Sequence, residues 1–340
     1  MGMNTSRKAL LLAALLAAAV TATAQKKTRA LHYWGNQDKY LETQTSVLLD
    51  FVDDMLDRHL PSVKPSEERE AALYLLDAVC HDTRLDRSEA ARDYMERRIG
   101  KVVASLKQPM KRGLEVYKIY NDGFILRTRS TTVAVDLVSK SNHVELYSDS
   151  LTGQLVGLCD ALFITHRHGD HADPLVARLF ASQQKPVYCP SDFLPHDSRL
   201  HHVAPDKFLS EQLALRNSTI RLNILPGHQD ELQCNHFVIT FPEHITIAHI
   251  GDQDLPEDMD WIVKAHERVP KVDVMIVDCW ARPLDKVVEG YRPKVVVTGH
   301  ENELSHTIDH REAYWLTYYK MQEATRPYVI MSCGERYLYR

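Results

Sequence analysis

The chain predicts an α+β fold: a sandwich of two β-sheets covered by helices and preceded by a small helical region. Three features carry that expectation. Apolar residues recur at helical spacing over residues 25–112, and strand-like runs replace them from Gly113 onward. Beyond Gly113 strands alternate with helices. The β-rich part also divides into two halves, about 113–210 and 211–340, each with its own helices.

The 340 residues suit one large or two smaller domains, and 44% hydrophobic with 26% charged residues is a globular composition. A net charge of −5 and the lack of a basic patch argue against nucleic acid as a partner and leave a small molecule. Residues 1–24 read as a signal peptide. Arg7 and Lys8 form the charged start, Ala9–Val20 is too short for a comfortable membrane span, and Ala22-Thr23-Ala24 is a small-residue cleavage site. The expected mature chain starts at Gln25 and is periplasmic or secreted, without a stable membrane anchor. Six widely spaced cysteines read as small buried hydrophobes, with disulfide pairing left open.

Residues 25–112 form the helical region. Tyr40–His59 carries an apolar stripe through Leu41, Val47, Leu48, Phe51, Val52, Met55 and Leu56, and Pro61 and Pro65 end it. Ser66 caps a second helix that runs to Cys80, with Arg69 where a capping box would carry Glu or Gln. Asp86–Leu106 is a third. Tyr33 and Trp34 could reach over a pocket as a lid, whereas His32, His59 and His81 read as structural.

Strands follow at Leu114–Tyr120, Phe124–Thr128 and Thr131–Val138, with a tight turn at Asn121-Asp122-Gly123. Asp136 ends a β run and could hold a neighbouring loop from behind. Helix Ser150–Leu158 leads into the buried strand Ala161–Ile164. Asp173 caps a helix over Pro174–Ala181. The remainder reads as strand Pro186–Cys189, a helical turn at Ser191–Leu194, and strands over Leu213–Leu225. A hairpin then pairs His236–Phe241 with Ile245–Ile250. Helix Pro256–Val269, strand Val272–Val277, helix Leu284–Gly290 and strand Val295–Val297 come next. A long helix over Asp309–Ala324 and β structure over Tyr328–Tyr339 close the chain.

The loop Thr165-His166-Arg167-His168-Gly169-Asp170-His171 stands between a buried strand and a capped helix. Three imidazoles and a carboxylate at that spacing can face a metal: His166 and His168 toward one ion, Asp170 and His171 toward a second. Imidazole and carboxylate suit Zn²⁺ first, with Mn²⁺ or Fe²⁺ as alternatives. Three further ligands end strands downstream, each after a glycine: His228, Asp252 and His300. The first metal would take His166, His168 and His228, and the second Asp170, His171 and His300, with Asp252 bridging the two divalent ions. His306 or Glu301 could protonate a leaving group. Trp280, Arg282 and His306 could contact substrate.

In these residues the sequence resembles the metallo-β-lactamase-fold hydrolase superfamily, over about residues 113–340. Ile164–Asp173 together with Ile250-Gly251-Asp252 is most similar to the branch of ascorbate-6-phosphate lactonase and related phosphodiesterases. The resemblance implies a four-layer αβ/βα sandwich with a two-metal site at its edge. Two metals sharing a water make hydroxide available near neutral pH, with Asp170 holding it. A lactone, ester or phosphodiester would be cleaved. The bridging Asp252 moves the expectation away from β-lactams. The other reading is a metal-binding or redox protein without hydrolysis. No flavin-binding sequence is visible, and His168 stands where di-iron relatives tend to carry Glu.

Overall fold

A computed structural model of the chain describes residues 35–278, 280–322 and 324–340. The expected signal peptide, and the lid candidates Tyr33 and Trp34, lie outside the described residues. The described residues up to Thr45 belong to one unit and Ser46–Arg340 make another, compact one. The helix α1 (Gln37–Arg58) spans that boundary.

Two seven-stranded mixed sheets organise the larger unit. The first contains β1 (Leu114–Tyr120), β2 (Gly123–Arg127), β3 (Thr132–Val135), β6 (Ala161–Phe163), β7 (Val187–Pro190) and β8 (His201–Val203), with β4 (Lys140–Ser141) and β5 (Val144–Glu145) as a small separate hairpin. The second contains β9 (Leu209–Ala214), β10 (Thr219–Leu225), β13 (His236–Thr240), β14 (Thr246–His249), β15 (Val274–Asp278), β16 (Val295–Gly299) and β17 (Tyr328–Val329). Between β10 and β13 lies the short pair β11 (His228–Gln229) and β12 (Leu232–Gln233). The closing strand β18 (Arg336–Tyr339) returns to the first sheet, antiparallel to β1. The two halves of the sequence are thus two sheets, except that the last strand crosses back.

Each sheet is antiparallel on one side and parallel on the other. β3, β6, β7 and β8 run parallel, as do β14, β15, β16 and β17. Parallel strands present their carboxyl ends along one edge, where loops can converge on a ligand. Asp136, the His166–His171 loop, Asp252, Asp278 and His300 all sit at or just past such ends.

The sheets face each other through a dry layer that includes Val116, Phe124, Phe163, Ile224, Phe237 and Val297. Helices α2 (Glu67–Cys80), α3 (Glu89–Leu106), α4 (Asp149–Leu158) and α5 (Pro174–Ser182) cover the outer face of the first sheet and share a core with Tyr117, Ile125 and Leu162. The short α6 (Met259–Ile262) and α7 (Leu284–Tyr291), with Met321 of α8 (Tyr314–Met321), cover the second. The layers thus run helix, sheet, sheet, helix, as the four-layer αβ/βα expectation has it.

Local signals explain several ends. Ser66 accepts from the Arg69 N–H, and the Arg69 guanidinium is free to pair with buried Glu335 at 2.6 and 2.7 Å. Asp173 accepts from Leu175 and Val176 at the start of α5. Ser191–Leu194 is a turn, in which the Phe193 N–H donates to the Pro190 carbonyl at 3.2 Å. Two expectations need correction. Pro256–Val269 is broken into a 3₁₀ turn, α6 and a second 3₁₀ turn. The last long helix starts only at Tyr314, because Asp77 of α2 accepts from the Tyr314 and Trp315 N–H groups at 2.8 and 3.0 Å and caps it there. Cys80, Cys159, Cys189, Cys234 and Cys333 are unpaired, and all but Cys333 are buried.

Candidate metal centre

The loop after β6 is held by one carboxylate. Asp136, just past β3 and at φ 47, accepts from the Thr165 N–H at 2.8 Å and the Thr165 hydroxyl at 2.6 Å. Its Oδ2 also faces His171 Nδ1 at 2.9 Å. That bond places a proton of His171 on Nδ1 and points its Nε2 at the site. Asp136 therefore fixes both the start and the end of the loop, as its position at a strand end suggested.

Around His171 the ligand atoms of Asp170, Asp252 and His300 gather, all within 4.8 Å of one another and all buried. Asp252 Oδ2 lies 3.2 Å from His171 Nε2 and 3.3 Å from His300 Nε2, and Asp170 Oδ2 is 3.2 and 3.4 Å from the same atoms. His166 Nε2 approaches Asp252 Oδ2 at 3.7 Å from the other side, so Asp252 stands between two imidazole groups. Asn121, in the β1–β2 turn, donates to Asp170 Oδ2 at 2.8 Å, and its carbonyl accepts from the His300 N–H at 3.2 Å. The turn had read only as a turn.

Two glycines permit this approach. Gly251 is at φ +55, and a Cβ there would sit 2.7 Å from Thr165 Oγ1. At Gly299 a Cβ would meet Asp122 Oδ1 at 1.7 Å. Asp122 itself is buried, and burial pushes its carboxyl up.

The electrostatics follow from burying opposite charges together. Burial alone would raise Asp170 and Asp252, but His171 and His300 outweigh it and hold both well below the usual carboxylate range. Burial would likewise lower His171 and His300, and the carboxylates hold both well above the usual imidazole range. At His166 burial and the neighbouring His171 outweigh the pull of Asp252, Asp136 and Asp170 and push it down to about 3, so it stays neutral. Asp278 is pushed up to about 7 by burial, with His300 opposing and Asp252 adding to the rise.

His166 Nε2, His171 Nε2 and Asp252 Oδ1 are buried without a hydrogen-bond partner among the described residues. Buried nitrogen and oxygen atoms without partners, aimed at one place, fit a divalent cation that takes such ligands.

His228 is not brought into this group. Its Nδ1 faces the Asp258 carboxylate at 3.1 and 3.3 Å, and its Nε2 faces Asp206 at 3.5 Å. Successive side chains on a strand point to opposite faces. On β11 it is Gln229 that turns inward, donating to Asp252 Oδ2 at 3.3 Å. His168 is exposed on the rim, its ring 4.8 Å from that of His166.

A cavity of about 530 Å³ opens over the cluster, with His168, Asp278, Trp280, Arg282 and His306 on its walls. The sequence-predicted contacts Trp280, Arg282 and His306 are thus placed at its mouth. Glu301 is not: it is buried against Lys118 and Thr298, because a carboxylate there neutralises the buried ammonium. Gln229, Asp254 and Asn121 also belong to the surroundings. Only their neighbourhood to a ligand in sequence, or to a strand-end turn, could have signalled them.

No protein-family model and no curated protein sequence matches the chain. Solved structures do. A metallo hydrolase from the hyperthermophilic archaeon Ignicoccus hospitalis is similar at 14% identity and a TM-score of 0.50, over 67% of this chain and 98% of that one. An isothiocyanate hydrolase from Delia radicum gut bacteria matches at 15% identity and a TM-score of 0.49, over 66% and 98%. A diiron β-hydroxylase from Streptomyces venezuelae matches at 14% and 0.47, over 68% and 55%. At 14% identity the first of these likenesses establishes a shared fold with that archaeal metallo hydrolase.

Proposed function

We propose that the chain is an exported metal-dependent hydrolase that cleaves a lactone, ester or phosphodiester with two divalent ions, Zn²⁺ first. One observation carries the reading: Asp170, His171, Asp252 and His300 converge, buried, with ligand atoms within 4.8 Å, under an open cavity. His171, His300, Asp170 and Asp252 would hold one ion. His166, His168 and the shared Asp252 would hold the other. A bound divalent ion supplies Lewis acidity and a water that ionises near neutral pH.

The protein's own groups supply the rest. Asn121 orients Asp170, whose carboxylate faces the cavity and can accept the proton of an attacking water. His306, on the cavity wall with its ring centroid 6.0 Å from that of His300, would return a proton to the leaving group.

Metal analysis after purification, followed by a panel of lactones, esters, phosphodiesters and β-lactams, tests the reading. Up to two ions per chain and turnover of a lactone, ester or phosphodiester are expected, with Asp170→Asn inactive but folded. Full activity in Asp170→Asn would remove its assigned role. A metal-free protein from metal-replete medium would favour a structural use of the fold. For export, mass spectrometry of the processed protein should find Gln25 as its first residue. The ascorbate-6-phosphate lactonase-like assignment rests on the sequence motifs, and a screen that includes sugar-phosphate lactones tests it.

A further inference from the structure

Behind the wall of the metal cavity lies a second one, of about 320 Å³. The two share Trp280 and Arg282. Their characters differ. The first is walled by carboxylates and imidazoles, while the second is lined largely by Ala281, Pro283, Leu284, Val288 and Ala324. Those residues come from the loop after β15, from α7 and from the segment after α8.

The shared wall is braced. The Trp280 N–H donates to Asp278 Oδ1 at 2.8 Å, tying the loop to the strand end beside the metal cluster. The Lys320 ammonium lies 3.4 Å from the centre of the Trp280 ring, and it is held by Glu312 at 3.1 Å. A cation over an aromatic face fixes the ring. Lys320 is thereby committed to Glu312 and Trp280, so the cavity offers apolar surface rather than an open cationic site.

We propose that this second cavity is a subsite for an apolar substrate tail, an alkyl chain or aryl ring joined to the group cleaved over the metal cluster. Trp280 is the wall along which the tail passes. Arg282 sits at the junction, where a carbonyl or other polar linker leaves the first cavity. The inference takes the cleaved group from the hydrolase reading, but the apolar cavity stands apart from it. Ligand sites of this size pair an apolar lining with a few polar groups that orient the ligand.

The test uses the metal-loaded full chain with 4-nitrophenyl acetate, butyrate and hexanoate. KM should fall with chain length, by up to roughly fourfold per fully buried CH₂. Ala324→Trp, which fills the cavity, and Leu284→Gln, which makes its lining polar, should each flatten that dependence. A KM independent of chain length in the native protein would overturn the proposal, as would an undiminished dependence in both variants. If no ester is cleaved, the hydrolase reading fails for esters and binding decides the subsite. Saturation-transfer NMR with 1-hexanol should then show contact in the native chain and its loss in Leu284→Gln. No contact in the native chain would overturn it.

Discussion

The two halves of the candidate metal cluster differ in what stands behind them. Asp170, His171, Asp252 and His300 end or follow strands of the buried sheets, and Asp136 and Asn121 hold Asp170, His171 and His300 from the rear. Their charges compensate one another. His166, His168 and His228 do not form such a set. His166 is buried and in place, His168 lies on the exposed rim, and His228 sits on a two-residue strand and faces two acids away from the others. A ligand stands where its supporting partner puts it. Spacing along the chain nominates ligands, but the second layer of hydrogen bonds decides which are already assembled.

The sharpest way to break this contrast is at the residue both halves share. Asp252→Ala removes the carboxylate that faces His166, His171 and His300. Metal content should fall at both positions. Turnover should fall by more than the roughly 10–100-fold that loss of a supporting partner costs. Elemental analysis with single-turnover assays measures both, and retention of one full equivalent of metal would show that the assembled half does not need Asp252.

The weaker half has a titratable support. His236 is buried between the Tyr291 hydroxyl at 2.6 Å and Gln253 Oε1 at 2.8 Å, and the same Gln253 oxygen accepts from the His228 N–H at 2.9 Å. Burial pushes His236 down to about 4 from its ordinary 6.5. The folded state thus keeps this imidazole neutral where the unfolded chain would protonate it. Its contribution is complete above pH 6.5 and is lost as pH falls toward 4, to the extent of about 3 kcal/mol. Denaturant unfolding of the metal-free protein across that range should show the loss. His236→Gln should remove that part of the pH slope, and an unchanged slope would place the titration elsewhere.

Support for the assembled half is tested at Asp136. Asp136→Asn cannot accept from both Thr165 and His171 as the carboxylate does. Metal affinity should drop about 10–100-fold, with a stability loss of about 1–3 kcal/mol from the unsatisfied buried groups. Competition with a chelator and thermal unfolding read the two effects separately.

These supports also mark what the sequence could tell. The strand order of the sheets was not legible, but strand ends carrying Gly-His or Gly-Asp were, because buried β-branched runs followed by glycine have few other uses. Asp136 was legible as a strand-end acid behind the loop. Asn121 was not, since Asn-Gly and Asp-Gly steps occur in any tight turn. The inward face of β11 was hidden as well. On a two-residue strand nothing in the apolar pattern distinguishes His228 from Gln229. The truncated last helix was hidden for a different reason: its cap is Asp77, more than two hundred residues earlier in the chain.

His228 gives the smallest effect and the finest test of the contrast. If it remains with Asp258 and Asp206, His228→Ala should leave the tighter metal equivalent within about threefold of the native affinity, because no partner of Asp170, His171 or His300 is lost. The weaker equivalent should be the one that changes, and only if His228 turns inward when a second ion binds. A metal titration followed by calorimetry separates these cases. Two equal tight equivalents in the native chain, both lost in His228→Ala, would mean that the two halves assemble together and that the arrangement at Asp258 yields to the ion. One tight equivalent, unmoved by the substitution, would mean that Asp136 and Asn121 alone set where the first ion goes.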